Sequence, residues 1–294
     1  MEEIQEVVDQ YKKINIDKEL SNSENLKIFS IKFYKDVAEI YDSVTRIKNI
    51  ERNPTGFNFN DAAILGLLVR VWKILKEVIY YYEKNNANMV SLLDRQIIES
   101  AITAKYLLIK GDEVIEDYRK CSYKNRVNML KDYDSDPEYC KTPPAIRLKK
   151  SILNKLSAEG FTMDSFSEQE RNKWKLSGKN FYQIFTELEP KEFYKYLYGM
   201  SSEAIHGSWN ESMDYDLRKN EDGTFSTFPF FQEADIRFIT PLLRLTHDPY
   251  LLWTERIETR HEIVINAFRW MQSVNVKLYE AFEILYKTEN TQPS

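Results

Sequence analysis

Glycine, proline and cysteine are all scarce in this chain of 294 residues, which has 8 glycines, 9 prolines and 2 cysteines. Folds made only of β-strands use many glycines and prolines in tight turns, so their scarcity favours long helices joined by few connections. Cys121 and Cys140 are too few for a disulfide framework, and they lack the spacing of a zinc site. We therefore expect a helical protein without structural disulfides.

The sequence also lacks an uninterrupted apolar run and a signal peptide. Its longest apolar stretch, residues 62–82, contains Arg70, Lys73, Lys76 and Glu77, which argues against a transmembrane helix. The first residues are acidic and amphipathic, unlike a signal peptide. We therefore expect no membrane partner and a cytoplasmic location.

The overall composition is that of a globular protein, with 43% hydrophobic and 30% charged residues. The 19 tyrosines, 16 phenylalanines and 5 tryptophans predict a core rich in packed rings. A formal net charge of −5 gives no overall attraction to nucleic acid. Residues 141–180 are the exception, since they carry nine basic and four acidic side chains.

Apolar residues recur with a helical period along most of the chain, which predicts an all-α fold. We expect a multi-helix bundle core over residues 56–290, an N-terminal helical extension over residues 1–55, and a long C-terminal helix. Asp222-Gly223 predicts a small hairpin or an ordered loop. The expected helices span residues 1–20, 26–50, about 60–84 (capped by Asn60 or Asp61), 89–109, 112–133, 145–158, 167–176, 179–187, 190–207, 231–247 (bounded by Pro241 and Pro249) and 251–288.

The helix at residues 89–109 is apolar on two opposite faces, which is typical of a central helix packed on all sides. Arg95 and Glu99 lie within one of these faces, and their i,i+4 spacing allows an ion pair. Removing such a pair from water costs several kcal/mol per ion, on the order of the penalty for buried charges. The pair is therefore either a structural buried ion pair or part of a cavity where binding or chemistry takes place.

The helix at residues 190–207 carries a polar stripe. Tyr198, Ser202 and His206 follow each other at intervals of four residues, so they lie on one side of the helix. His206 is either a satisfied structural histidine, or a general acid–base or phosphate contact, because histidine alone titrates near neutral pH without perturbation.

These two helices resemble a bacterial family of unknown function. In that family a helix with Tyr-x3-Ser-x3-His-Gly follows an earlier helix with Arg-x3-Glu. The segment from Tyr198 to Gly207 matches the first motif and Arg95–Glu99 the second. The similarity covers about residues 60–285, and it implies that Arg119, in Tyr118-Arg119, is a further motif residue.

The chain is also distantly similar to HEPN proteins, which are helical, usually dimeric, and often metal-independent ribonucleases of toxin or phage-defence systems. Their hallmark is an arginine four to six residues from a histidine. Here the corresponding positions are Gly199, Met200 and Ser201. We therefore infer that Arg95 supplies the phosphate contact from the neighbouring helix, with Glu99 orienting it.

A basic segment provides candidate substrate-binding residues. Trp174 lies among lysines that include Lys173, and this pattern fits base stacking on a basic rim. The alternative is that Trp174 anchors a short surface helix. Together with Arg119, Lys173 and Trp174 complete the candidate substrate-binding set.

Two Glu-x-x-His pairs, Glu203–His206 and Glu258–His261, suggest a di-metal carboxylate bundle as a rival. That site also needs a glutamate from each of two other helices, for which Glu99 and Glu233 are candidates. We expect His261 instead to be a buried structural residue, because it is surrounded in sequence by the apolar residues Ile257, Val264, Ile265 and Phe268. We therefore assign no metal ligand and no cofactor.

The leading hypothesis is a HEPN-like effector that acts on RNA or a nucleotide, in a bacterial anti-phage defence or toxin setting. Its candidate catalytic residues are Arg95, Glu99, Tyr198, Ser202 and His206. The competing hypothesis is a non-catalytic helical module that binds a protein partner, with Arg95, Glu99 and His206 as a buried structural network. A homo-oligomer, most simply a homodimer, is expected from the resemblance.

Overall fold

The computed structural model describes residues 1–135, 138–167, 174–199, 201, 205–228, 230 and 232–290. Within them the chain is helical apart from one two-stranded antiparallel sheet, so the predicted all-α fold is confirmed. The α-helices are α1 (Glu2–Tyr11), α2 (Ile16–Glu19), α3 (Ser23–Arg46), α4 (Phe59–Glu83), α5 (Ala87–Lys110), α6 (Asp112–Cys121), α7 (Lys124–Ser135), α8 (Pro143–Ala158), α9 (Phe181–Leu188), α10 (Lys191–Phe193), α11 (Trp209–Tyr215), α12 (Thr240–Arg256) and α13 (Glu262–Asn290).

Shorter elements complete the described chain. Three 3₁₀ turns span Tyr139–Lys141, Met163–Phe166 and Ile236–Phe238, and α10 continues as a π-helix over Tyr194–Gly199. Strands β1 (Leu217–Lys219) and β2 (Phe225–Thr227) form the predicted small hairpin. None of the described helices is long and apolar enough to cross a membrane.

Helix α5 is central, as its two apolar faces predicted, and it packs against α4, α6, α9 and α12. The main core combines these helices with α3 and α13 and is rich in rings. Tyr41 and Tyr250 stack with ring centroids 4.0 Å apart. Their hydroxyls are satisfied inside the core, since Tyr250 donates to the Leu68 carbonyl at 2.7 Å and Tyr41 lies 2.9 Å from Thr246 Oγ1.

The N-terminal helices share this core. Ile4 and Tyr11 of α1 are buried in the same hydrophobic cluster as α4 and α5, and α1 packs against α3 and α13. The Tyr11 ring lies 4.7 Å from that of Trp270 in α13. The division of the chain at residue 55 remains a prediction.

Asparagine side chains cap the two long helices that precede and form the candidate site. Asn58 accepts from the Asp61 N–H at the start of α4, and Asn86 accepts from the Met89 N–H at the start of α5. Each side chain satisfies a backbone donor that has no partner within the helix. The cap of α4 is therefore Asn58, two residues before the predicted Asn60 or Asp61.

The structure divides several helices that the sequence predicted as continuous. The predicted helix at 1–20 is broken at residues 12–15 into α1 and α2. The predicted helix at 112–133 breaks at Ser122-Tyr123 into α6 and α7. The predicted helix from residue 251 is likewise divided by a turn before α13. Pro249 lies inside α12 rather than at a boundary. Tyr250 and Trp253, fully buried beside it, show that tertiary packing outweighs the local preference of proline here.

A second, smaller hydrophobic cluster forms around Phe161 and Phe166, with residues of α7 and α8. We call it the Phe161 cluster. The predicted helix at residues 167–176 falls largely on residues 168–173, which lie outside the described residues. Residues 174–179 form a turn closed by a bridge between Leu176 and Lys179.

Candidate functional site

Helix α5 carries an ion pair at its edge. Arg95 and Glu99 are one turn apart, and the Arg95 Nε donates to Glu99 Oε1 at 2.9 Å. The side chains are 22% and 43% exposed, respectively. The pair therefore borders solvent, which contradicts the alternative of a structural ion pair buried away from water. The other alternative, that the pair belongs to a cavity for binding or chemistry, stays a prediction.

The π-helical turn at Tyr194–Gly199 brings Tyr198 onto this pair. The Tyr198 hydroxyl donates to Glu99 Oε1 at 2.6 Å, and its ring lies 4.7 Å from the Arg95 Cζ. Behind Tyr198 the rings of Phe181 and Tyr194 pack with centroids 4.8 and 4.9 Å away. This aromatic support fixes the position of the Tyr198 ring under the guanidinium.

His206 reaches the same guanidinium from beyond the π-helical turn. Its Nε2 lies 3.3 Å from the Arg95 Nη1, and the residue is exposed. Arginine has donors only, so this contact is a hydrogen bond when Nε2 is the accepting nitrogen of the imidazole. We refer to Arg95, Glu99, Tyr198 and His206 as the Arg95–His206 cluster.

Surrounding groups shift the pKa values of Arg95 and Tyr198 in this cluster. Burial lowers the pKa of Arg95, but the hydrogen bond that Arg95 donates to Glu99 and the neighbouring Tyr198 more than offset this and raise it, so the guanidinium stays charged. Burial and then the hydrogen bond to Glu99 raise the pKa of Tyr198 above its ordinary value. Tyr198 is therefore a neutral donor at physiological pH.

The structure brings together four of the five candidate catalytic residues, Arg95, Glu99, Tyr198 and His206. Ser202, the fifth, lies outside the described residues. The spacing of Arg95 and Glu99 follows from one helix, whereas Tyr198 and His206 arrive through tertiary packing.

The predicted substrate-binding residues lie elsewhere in the molecule. Arg119 of α6 donates to Glu159 through Nε at 2.9 Å and to Asn60 through Nη1 at 3.0 Å, and it stacks on rings that include Phe161. Trp174 packs against Phe166 at 6.0 Å. Both are thus partners of the Phe161 cluster. Lys173 lies outside the described residues.

The residues of the di-metal alternative do not converge in the described part of the chain. There, no group of three or more His, Cys, Asp or Glu side chains could hold a metal ion. His261 is exposed at the turn before α13, where its Nδ1 accepts from the Ile263 N–H at 3.3 Å. Its predicted burial within a continuous helix is wrong. Glu203 lies outside the described residues.

Asp94 is the functional-site candidate that sequence reasoning missed. It is only 7% exposed, although it directly precedes the half-buried Arg95. A signal for it exists in the sequence, because Asp94 falls at helical spacing between the buried Val90 and Ile97. The acidic residue on the buried face of this helix is therefore the one that directly precedes Arg95.

Fold and site together define an all-α bundle with a polar cluster at the edge of its central helix. The sequence matches the family of unknown function DUF5677 over residues 61–224, more than half of the chain, and the chain belongs to this family. The matched segment contains the whole Arg95–His206 cluster and Asp94. No curated protein and no solved structure matched the chain.

Proposed function

We propose that this protein is a HEPN-like, metal-independent ribonuclease that cleaves single-stranded RNA at the Arg95–His206 cluster, in a bacterial defence or toxin setting. The observation that carries the proposal is the 3.3 Å contact between a charged guanidinium and an exposed imidazole. These two groups are the phosphate ligand and the proton acceptor that such a reaction requires.

Arg95 supplies the phosphate contact. Its Nε is held by Glu99, so the guanidinium is oriented while its charge remains close to solvent. Arginine recognises phosphate oxygens through paired N–H donors. A phosphodiester bound here would replace the contact between Arg95 Nη1 and His206, and it would stand within reach of the imidazole.

His206 supplies the proton acceptor. Its Nε2 takes the proton of a ribose 2′-hydroxyl while the 2′-oxygen attacks the adjacent phosphorus. The bond from phosphorus to the 5′-oxygen breaks, and the 5′-oxygen leaves with a proton from solvent. The products are a 2′,3′-cyclic phosphate and a 5′-hydroxyl end, and the guanidinium stabilises the charge that develops on the phosphoryl oxygens.

Glu99 and Tyr198 act through Arg95 and are positioning residues. Glu99 Oε1 accepts from both Arg95 and Tyr198, at 2.9 and 2.6 Å. The Tyr198 ring limits the movement of the guanidinium on one face. Groups held in this way lose little conformational freedom when the phosphate binds.

An exposed aromatic pair next to His206 supports single-stranded RNA as the substrate. Trp209 is 62% exposed, and its ring lies 5.7 Å from that of the exposed Phe225 in the hairpin. Rings on an accessible surface stack unpaired bases without strong sequence preference. The short connection through Ser208, which caps α11, keeps Trp209 close to His206 along the chain.

The test is cleavage of a labelled single-stranded RNA by the purified full chain in the presence of EDTA. We expect cleavage with 2′,3′-cyclic phosphate ends and no cleavage of the matching DNA, which lacks the 2′-hydroxyl. His206→Ala should reduce the rate by roughly 10²–10⁴-fold, the usual contribution of a general base. Arg95→Gln should reduce it as well.

The matched control is His261→Ala, since His261 is also exposed but lies at the turn before α13. It should cleave RNA at the wild-type rate, and the melting temperatures of both histidine variants should stay close to that of the wild type. A wild-type protein without cleavage, or a His206→Ala variant with undiminished cleavage, would contradict the proposal.

The second candidate is a non-catalytic module that binds a protein partner. Exposed apolar rings mark interaction surfaces as well as base-stacking surfaces, and Phe228 and Phe230 extend the exposed aromatic area. In that case the Arg95–His206 cluster would be structural. Absence of cleavage together with a lowered melting temperature of His206→Ala would favour this function. The expected homo-oligomer is compatible with either candidate function.

A further inference from the structure

A cavity of about 390 Å³ lies beside the Arg95–His206 cluster. Its walls come from α5, the π-helical turn, α11 and the first turn of α12, and Asp94 of α5 lines it. The cavity and the cluster share two elements, because Asp94 precedes Arg95 and Leu197 precedes Tyr198. The volume falls in the range of small-molecule sites, about 300–1,000 Å³.

Asp94 is a buried acidic residue on the wall of this cavity. It is 7% exposed, and no described residue hydrogen-bonds to its buried Oδ1. Burial raises the pKa of this carboxyl well above its usual range. A buried carboxyl without a partner destabilises the fold, so its place on a cavity wall points to a ligand.

The charges around the cavity favour a cationic ligand. Glu211 of α11 adds a second carboxyl group to the wall. Arg237, the basic side chain among the described lining residues, is engaged by Asp235 at 2.6 Å and lies against the ring of Tyr286. Its charge is thus compensated by its own neighbour, whereas the buried Oδ1 of Asp94 has no hydrogen-bond partner among the described residues.

The aromatic rings that line the cavity favour an organic cation over a metal ion. Tyr196, Tyr215 and Phe238 line the cavity together with the two acids. Aromatic faces attract organic cations, especially where water is displaced, whereas a divalent metal ion would require several oxygen ligands. The described part of the chain offers no group of three acidic, histidine or cysteine side chains for a metal.

We propose that this cavity binds a small organic ammonium ion, with Asp94 as its buried counter-ion, Glu211 as a second carboxylate and the rings of Tyr196, Tyr215 and Phe238 as its walls. Ionised Asp94 then gains a charge-assisted hydrogen bond at Oδ1, which no described residue contacts. The proposal does not depend on ribonuclease activity, since none of these residues belongs to the Arg95–His206 cluster.

Calorimetric titration of the full chain tests the proposal, with tyramine, tryptamine, choline and spermidine as probes. Tyramine is compared with 2-(4-hydroxyphenyl)ethanol, which replaces its ammonium group by a hydroxyl group. At least one amine should bind saturably, and for tyramine the alcohol should bind at least tenfold more weakly. If none of the four amines binds at millimolar concentration, the proposal is wrong.

Variants assign the binding to the cavity. Asp94→Asn should weaken amine binding at least tenfold, and the exposed hairpin variant Glu221→Gln should bind as the wild type does. Asn88→Trp, which fills the cavity from the first turn of α5, should abolish binding even if Asp94→Asn folds poorly. Amine binding that survives both Asp94→Asn and Asn88→Trp would place the site elsewhere and overturn the proposal.

The ribonuclease proposal and the amine-binding proposal can be refuted independently of each other. His206→Ala should lose RNA cleavage and keep amine binding. Asn88→Trp should lose amine binding and keep its fold, as judged by its melting temperature.

Discussion

Asp94 and Arg95 are consecutive residues of α5 that lie in opposite environments. A helix turns by about 100° from one residue to the next, given 3.6 residues per turn. This rotation takes Arg95 to the half-exposed edge, where Glu99 and Tyr198 hold it. Asp94 remains on the buried side with Val90 and Ile97. The two proposed sites of this protein thus contain neighbouring residues of one helix.

The buried carboxyl of Asp94 should make stability depend on pH. Its pKa is raised in the folded protein by burial, whereas an unfolded aspartate titrates at about 3.9. The stabilisation from protonated Asp94 is complete below the unfolded value and is lost as pH rises through the folded pKa. Asp94→Asn should therefore stabilise the protein at about pH 8 by roughly 1–3 kcal/mol, the cost of an unpaired buried polar group.

Urea denaturation at about pH 8 and about pH 4 measures this effect, and the gain should shrink towards the lower pH. Asp214→Asn, on the exposed side of α11, serves as the control and should change the free energy of unfolding little at either pH. An Asp94→Asn variant that is less stable than the wild type at the higher pH would show that the carboxylate has a stabilising partner.

At the scale of elements, α5 is defined by its two ends. Asn86 caps its start, and Gly111 ends it with φ 85° and ψ −166°. This conformation is essentially restricted to glycine. Gly111 also directly precedes α6. A single residue therefore ends α5 and begins α6, and the chain changes direction at that residue. The helix predicted over residues 89–109 therefore ends within one residue of its predicted end.

Gly111→Ala should destabilise the protein by about 1–3 kcal/mol, the usual cost of forcing a side chain into such a conformation. The matched control is Gly66→Ala within α4, where an added Cβ meets no atom within 4 Å. Alanine there should stabilise the helix by up to about 1 kcal/mol. Thermal unfolding followed by circular dichroism compares the two, and equal shifts in melting temperature would refute the role of Gly111.

At the scale of the whole molecule, a buried ionic network joins distant segments. Asp61 of α4 is fully buried, and its two carboxylate oxygens pair with Arg52 at 2.8 Å and with Arg256 of α12 at 2.7 Å. Arg256 continues to Asp112 at the start of α6 at 2.6 Å. The loop before α4 and three helices are therefore joined through Asp61 and Arg256.

Asp61→Ala should destabilise the protein by about 3–5 kcal/mol, because it leaves two arginines without their shared buried partner. Asp17→Ala removes an exposed ion pair with Lys277, 3.4 Å long, and should cost less than about 1 kcal/mol. Chemical denaturation measures both free energies of unfolding. Similar losses for the two variants would mean that the network does not hold these segments together.

Local spacing was enough to predict much of the fold. The 3.6-residue period gave α3, α4, α5 and α8 to within a few residues, and Asp222-Gly223 gave the hairpin. Where the sequence failed, tertiary packing decided. Pro249 stays inside α12 because the residues that follow it are buried in the core. The break between α6 and α7 places Tyr123 in the Phe161 cluster.

The sequence by itself determined the helical class, the central position of α5 and the pairing of Arg95 with Glu99, since these depend only on periodicity and on contacts within one turn. The tertiary structure alone decided that His206, 111 residues away, meets Arg95, that Arg119 is engaged by Glu159 and that Asp94 lines a cavity. Such contacts depend on how whole helices pack, and a helical period cannot specify which neighbour a side chain will face.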